Sequence, residues 1–357
     1  MAASLSDPER LSPRDGATRM TSPILARRAL LGGAATLLAA SPLTAPAVRA
    51  QALTKVTFQL SWIRSIQYGG LFAAQELGYF REVGIEPEWQ PGGPNIDAVA
   101  TVAAGRALIG DRPSDQLVIA RGRGIPVKII AAMFNRSPSA VMSLKRAPIR
   151  SMADMVGKTI AIPGGARPVV VNLMRNAGID ANRVNFVPVG TDPGILASGQ
   201  VDGYVGLSTN QGVMLQARGV EVEFLHLSDL GSNLYGGAIY VTDAVLARER
   251  DLLVRFLRAS TRGFQKMVED PAQVARWTVE KYAAPGLDLA TQTREAVASI
   301  PYIRGGEAAT NGLLWVEPAF VEGSIAMAVA TGIAPRAFPV ADLVDQSLMR
   351  AVHGRGA

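Results

Sequence analysis

Several groups of residues have types and spacings suited to holding a small molecule. Trp62 and Tyr68 share a turn with Ser61 and Arg64, between the strand-like run at 58–60 and the small-residue run that starts at Gly69. An aromatic face there can stack on a flat ring, worth about 1–3 kcal/mol if it stacks as aromatics do on bases. Core filling is the alternative for both, and the polar flanks of Trp62 count against it there. Asp111, at the end of the strand-like ALIG, offers a carboxylate to a ligand amine or to its neighbour Arg112, with Ser114 read as the cap of the next helix. Gly164 and Gly165 lie between a strand and a helix, where free backbone N–H groups suit a carboxylate, phosphate or ring carbonyl; a purely structural turn is the other reading. Gly92 and Gly93 allow close backbone approach, and Asn95 after them reads as a helix N-cap. Asp229 and Tyr235 flank a return between two halves of the chain, where Tyr235 either closes over a ligand or packs the hinge.

Other chemistries lack parts. The chain has no cysteine, which removes disulfides, thiol nucleophiles and Cys-ligated metals. Its histidines, His226 and His353, are far apart, so no zinc-ligand spacing and no Ser-His-Asp set can be assembled; His226 reads as a strand residue and His353 as solvated. No metal and no cofactor is expected. The net charge of +6 owes much to the first 50 residues, which hold six arginines and three acids; the remainder carries 30 basic against 27 acidic residues, a net +3. Basic residues form no run of five and do not interleave with aromatics, so nucleic acid is not an expected partner.

The elements that must position these groups alternate. Strands are predicted at TFQL, ALIG, VKIIAA, TIAI, VNFVPV, VDGYVG and AIYVT, with glycines closing the helices between them. That alternation predicts an α/β fold of parallel sheets flanked by helices. A chain of 357 residues, 48% hydrophobic and 18% charged, has room for about two cores. The helix-Gly-strand corners at 104–110 and 198–204 echo one another, which fits two similar lobes. A fresh unit starts after AVMSL, and the chain turns helical after AIYVT, at 251–269, 271–282, 289–299 and 317–331. The expected organisation is therefore lobe 1 at 51–144, lobe 2 at 145–237, and the rest of lobe 1 with C-terminal helices at 238–357. Two chain crossings between lobes make a hinge.

Residues 22–50 have the layout of a bacterial export signal: Arg27 and Arg28, an apolar run at 29–40, and small residues up to Ala50, after which cleavage is expected. The arginine pair resembles a twin-arginine signal, with the general secretory route as the alternative and Met20 as an alternative start. The apolar run is short for a membrane span. A periplasmic protein is expected.

The stretch SWIRSIQYGGLFAAQELGYFREVGIEPEW, the loop PGGPN, IARGRGIPVKIIAAMFNRSPSAVMSLK, SMADMVGKTIAIPGG and GQVDGYVGLSTNQGVML together resemble substrate-binding proteins of ABC importers, in the branch that binds thiamine pyrimidine precursors and riboflavin. The resemblance runs from about 56 to 333. It implies a two-lobed periplasmic-binding-protein-like fold of the second type, no catalysis, a small-molecule ligand held between the lobes, an ABC permease with its ATPase as partner, and a monomer. It also implies ligand contacts at Ser137, in the segment crossing between lobes, and at Asn210 and Gln211, a polar pair at a helix start facing the cleft. The branch usually carries an acid where Gln211 stands, and an amide cannot balance a protonated ring. An enzyme on the same fold, with Asp111 or Asp229 as its acid-base group, and a receptor serving a sensor are the alternative functions.

Overall fold

The computed structural model describes residues 52–355 apart from 233, 331 and 333; the export signal and its cleavage point lie outside the described residues. The described chain is built on two five-stranded sheets. The first contains β1 (Thr54–Gln59), β2 (Ile85–Gln90), β3 (Ile109–Arg112) and β4 (Val127–Ala132); the second contains β5 (Ser139–Leu144), β6 (Thr159–Ile162), β7 (Asn185–Pro188), β8 (Gly203–Leu207) and β9 (Val222–His226). The last strand, β10 (Ala238–Thr242), returns to the first sheet. The orders are β2-β1-β3-β10-β4 and β7-β6-β8-β5-β9.

Neither sheet is purely parallel, as the alternation of strands and helices had predicted. β10 runs antiparallel to β3 and β4, and β5 runs antiparallel to β8 and β9. These are the two strands that enter a sheet from the other lobe. The parallel strands all end at the edge facing the opposite sheet, so a chain that crosses there must run back along the sheet it joins. Alternation of strand and helix reports crossovers within a lobe and carries no signal for this one reversal per sheet. The pairing of β5 also moves the first crossing: AVMSL belongs to the second sheet, so the chain leaves lobe 1 before Ser139 and not at Lys145.

The crossings lie side by side. Gly236 N–H donates to Phe134 O and Met133 N–H to Gly237 O. Asn135, fully buried, ties the first crossing to the C-terminal helices through Trp315 O, Tyr302 O and Ala308 N–H.

One large core fills lobe 1, centred on Phe58, Phe72, Phe256 and Phe264. Lobe 2 has two smaller cores, one on each face of its sheet, around Met174 and around Tyr204. The helix Arg250–Glu269 buries Leu253, Phe256, Leu257, Phe264 and Met267, the stripe expected of a 3.6-residue period. It crosses the helix Gly69–Glu76 so closely that a Cβ on Gly263 would stand 2.0 Å from Gly70 O. That contact fixes the helix that follows the Trp62 turn. No helix among the described residues is long and apolar enough to cross a membrane.

Candidate functional site

The cleft edge of lobe 1 is bound together from within. Asp111, fully buried at the end of β3, accepts from Ser61 N–H at 2.8 Å and from Ser61 Oγ at 2.6 Å. The Tyr68 hydroxyl receives the Trp62 N–H at 2.9 Å and lies 3.1 Å from Ser61 Oγ and 3.5 Å from Asp111. Burial pushes the Asp111 carboxyl up to about 6, with the Ser61 hydrogen bonds and the Arg112 charge opposing. Burial and the Asp111 charge push the Tyr68 hydroxyl well above its ordinary value. The next loop locks onto the same turn: Gly92 N–H donates to Trp62 O, and a Cβ on Gly92 would meet Leu60 O at 2.1 Å. Both peptide groups of Trp62 are thereby committed, while its half-buried ring packs at the margin of the core.

The facing edge of lobe 2 is made of two turns. Gly164 and Gly165 precede the helix Arg167–Asn176. A Cβ on Gly164 would meet nothing within 4 Å, whereas one on Gly165 would meet Gln116 Nε2, in lobe 1, at 2.7 Å. After β8 comes a π turn, Ser208–Gly212, a form frequent at functional positions. Within it Gln211 Oε1 accepts from Leu207 N–H at 2.9 Å, and Asn210 Nδ2 donates across to Glu295 Oε2 at 2.7 Å.

Between the lobes lies a cavity of about 420 Å³ lined by Asn95, Asp97, Arg112 and Gln116 on one side and Gly164 and Gly165 on the other. That volume is within the usual range for a small-molecule site. Arg112 donates to Ile96 O at 2.7 Å and keeps a buried Nε–H without a partner. A guanidinium, two side-chain amides and a glycine turn can together bind a polar edge rich in acceptors. A recess of about 40 Å³ adjoins it past Ile119, with Asp115 and Asn172 on opposite lobes. Burial also pushes Asp115 up to about 6, and one oxygen of each of these two side chains is covered without a partner. Among the described residues no group of three or more His, Asp or Glu could hold a metal ion.

The structure brings together some of the residues singled out from the sequence and separates others. Gly164 and Gly165 line the cavity, whereas Trp62, Asn210 and Gln211 lie outside its lining, Asn210 bonding across the seam and Gln211 within its own turn. Tyr68 is no stacking platform in this conformation: it is fully buried, its ring against Phe72 and its hydroxyl in the Asp111 network. Asp111 is sealed beneath the cleft edge, its oxygens taken by Ser61, so it positions that edge. Tyr235 is also fully buried; its ring packs on Phe320 at 4.6 Å and its hydroxyl receives the Glu317 N–H, which makes it hinge packing. Asp229 is exposed on a 3₁₀ turn beside Ser228, away from the cavity lining. Ser137 is buried in the crossing and bonded to Ser139 at 2.8 Å. Asn95 caps nothing, since Asp97 accepts from Ala100 N–H as the true N-cap, and Ser114 Oγ receives the Tyr235 N–H instead of capping a helix. His353 is not solvated but packs on Trp315, 3.0 Å from Leu313 O.

Sequence reading missed Arg112 as a cavity residue, together with Gln116, Asn172 and Glu295. Arg112 was in view only as a partner for Asp111. The alternation of strand β3 sends these two neighbours to opposite faces, which is the signal that separates them. Glu295 gave none, because its helix has charged residues on several sides and the buried face is set by the other lobe.

Two sheets flanked by helices, facing across a cleft and joined by two crossings, define the two-lobed periplasmic binding protein class of fold. The alkanesulfonate-binding protein SsuA from Xanthomonas axonopodis pv. citri, bound to MOPS, shares it at a TM-score of 0.62 with 15% identity, over 82% of this chain and 98% of that one. The chain belongs to the NMT1/THI5-like family, whose model matches residues 65–274. It is 28% identical over 295 residues to the riboflavin-binding protein RibY of Chloroflexus aurantiacus, covering 78% of this chain and 83% of that protein. It is 27% identical over 272 residues to the formylaminopyrimidine-binding protein of Halalkalibacterium halodurans, covering 74% and 82%. A 4-amino-5-hydroxymethyl-2-methylpyrimidine phosphate synthase of Legionella pneumophila is 26% identical over 226 residues, covering 62% and 71%.

Proposed function

We propose that the protein is a periplasmic solute receptor of an ABC importer, exported and monomeric, that clamps a small planar heterocycle between its lobes and delivers it to a permease and its ATPase. The observation that carries this reading is the 420 Å³ cavity with walls from both lobes. A ligand shifts a two-state hinge only if it binds one state better, and contacts to both lobes exist only when the cleft is shut. The paired crossings at Phe134 and Gly236 are the hinge. Arg112, Gln116 and the Gly164–Gly165 turn favour a ring edge with carbonyl or ring-nitrogen acceptors, and Trp62, outside the lining of that cavity on the turn fastened to the Gly92 loop, is the proposed stacking face. The printed names of the relatives, a riboflavin binder and a formylaminopyrimidine binder, fit flat nitrogen heterocycles of that description.

An enzyme on the same fold is the competing reading, supported by the names of the synthase relatives. The acid it would need is poorly placed: Asp111 is sealed and Asp229 lies on an exposed turn.

A thermal-shift screen of the mature protein against pyrimidines, flavins, aromatic acids and sulfonates tests the proposal. A hit at a hundredfold excess over Kd stabilises by about 2.7 kcal/mol. A ligand recovered unchanged after incubation supports a receptor, and a chemically altered one supports the enzyme.

A further inference from the structure

The bond between Asn210 and Glu295 joins lobe 2 to a helix of lobe 1, Leu289–Arg304, and it is built in an unusual way. Glu295 is 1% exposed. One carboxyl oxygen receives the neutral Asn210 amide, and the other is buried with no partner. The Gln292 Nε2 group, one turn earlier, is itself without a partner while its Oε1 accepts from Ile66 N–H, and it lies near enough to ease a charge there.

No cation does so. Arg218, on the helix after the π turn, is engaged with Asp192, and Arg276 and Arg294 point into solvent. Lys266, on the long helix behind, pairs with Asp270. Arg64, on the Trp62 turn, has a buried Nε without a partner but does not act on the Glu295 carboxyl, whose influences are burial, Asn210, Gln292 and Asp288. Asp288, at the start of the same helix, opposes a negative charge. His226 lies further along the seam, between Ser208 and the Tyr302 hydroxyl. A carboxylate that loses water without gaining a cation is strongly disfavoured, whereas the neutral acid is not.

We propose that Glu295 is a positioning residue, the lobe-1 half of a latch with Asn210 that takes up one proton as the lobes shut, so that ligand capture is coupled to proton uptake and release to proton loss. This inference rests on the clamp reading. Burial pushes Glu295 up to about 8 in the shut form; with the lobes apart, water returns the carboxyl to its ordinary range. A carboxyl raised in one state favours that state fully below its ordinary range and loses the advantage as pH rises through the raised value. The shut form is therefore expected to weaken by up to about tenfold per pH unit as pH approaches 8, and to level off above it. Asp115, at the other flank, is pushed only to about 6 and finishes its own change at lower pH.

The test is small-angle scattering of the ligand-free protein titrated through about pH 6.5 to 9, a window set by these two values, with Glu295→Gln alongside. Expansion of the wild type along that curve, and a flat response from Glu295→Gln, is the expected result. A wild type that keeps its radius, or a variant that expands equally, overturns the latch. Should Glu295→Gln fail to fold, carbon-13 titration of the wild-type carboxyl decides: a midpoint near the ordinary glutamate value overturns the proposal, and one near 8 supports it. Compaction by a ligand from the thermal-shift screen is judged separately at fixed pH, so the latch can fail while the receptor reading stands.

Discussion

The two edges of the cleft are held in opposite ways. On the lobe-1 side, Ser61, Trp62, Tyr68 and Asp111 satisfy one another inside a single lobe, and Gly92 fastens the neighbouring loop to them. On the lobe-2 side, the Gly164–Gly165 turn meets Gln116, and Asn210 meets Glu295, so its best contacts are made across the gap. One edge is a fixed platform, complete without its partner. The other is a jaw whose contacts exist only when the cleft is shut. Substitutions in the platform should therefore change stability, and those in the jaw should change affinity.

The largest break is Asp111→Ala. It leaves Ser61 and Tyr68 without their buried acceptor and should cost about 3 kcal/mol of unfolding free energy, read by urea denaturation. A loss under about 1 kcal/mol would show that the platform is not held this way. Asp111→Asn keeps an acceptor and should lose less, while changing the pH profile. Because the Asp111 carboxyl is raised to about 6, its protonated form adds stability at low pH that disappears as pH rises through that value. The variant should lose part of that decline, and an unchanged slope between about pH 4 and 7 would speak against the raised value.

Trp62→Ala comes next and separates ring from backbone. With its peptide groups fixed by Tyr68 and Gly92, the half-buried ring can be removed while the turn stays, so about 1–3 kcal/mol of ligand binding should vanish with little change in the ligand-free melting temperature. A large fall in that melting temperature would return Trp62 to the core. The smallest expected effect is Gly165→Ala. Its Cβ would press on the flexible end of Gln116 only across the seam, so stability should stay within about 0.5 kcal/mol while affinity drops several-fold in calorimetry. Equal affinity would mean the jaw does not close on this contact.

This division also explains what the sequence could and could not disclose. The helices at 250–269, 271–282, 289–304 and 318–330 carry their own periodicity or caps, and their positions were legible to within a few residues. Two lobes were legible from strand-helix alternation. The reversal of β5 and β10 was not, because strand direction depends on where a crossing chain enters a sheet. Among the site residues, the glycine turn announced itself by type and lines the cavity, whereas Asn210 and Gln211 came from the family resemblance and have their side chains engaged by Glu295 and Leu207 outside that lining. Tyr68, Asp111 and Tyr235 announced themselves equally well and proved to be buried structure, since a polar group satisfied inside a lobe looks in one dimension like a polar group awaiting a ligand. Glu295 was silent: its significance comes from a residue 85 positions away in the other lobe.

Scattering at about pH 9, above the value at which Glu295 ceases to favour the shut form, with and without a saturating hit from the screen tests the clamp most directly. A smaller radius of gyration is expected with the ligand bound, and this compaction should be lost in Arg112→Ala. A hit that binds tightly and leaves the radius unchanged would contradict it.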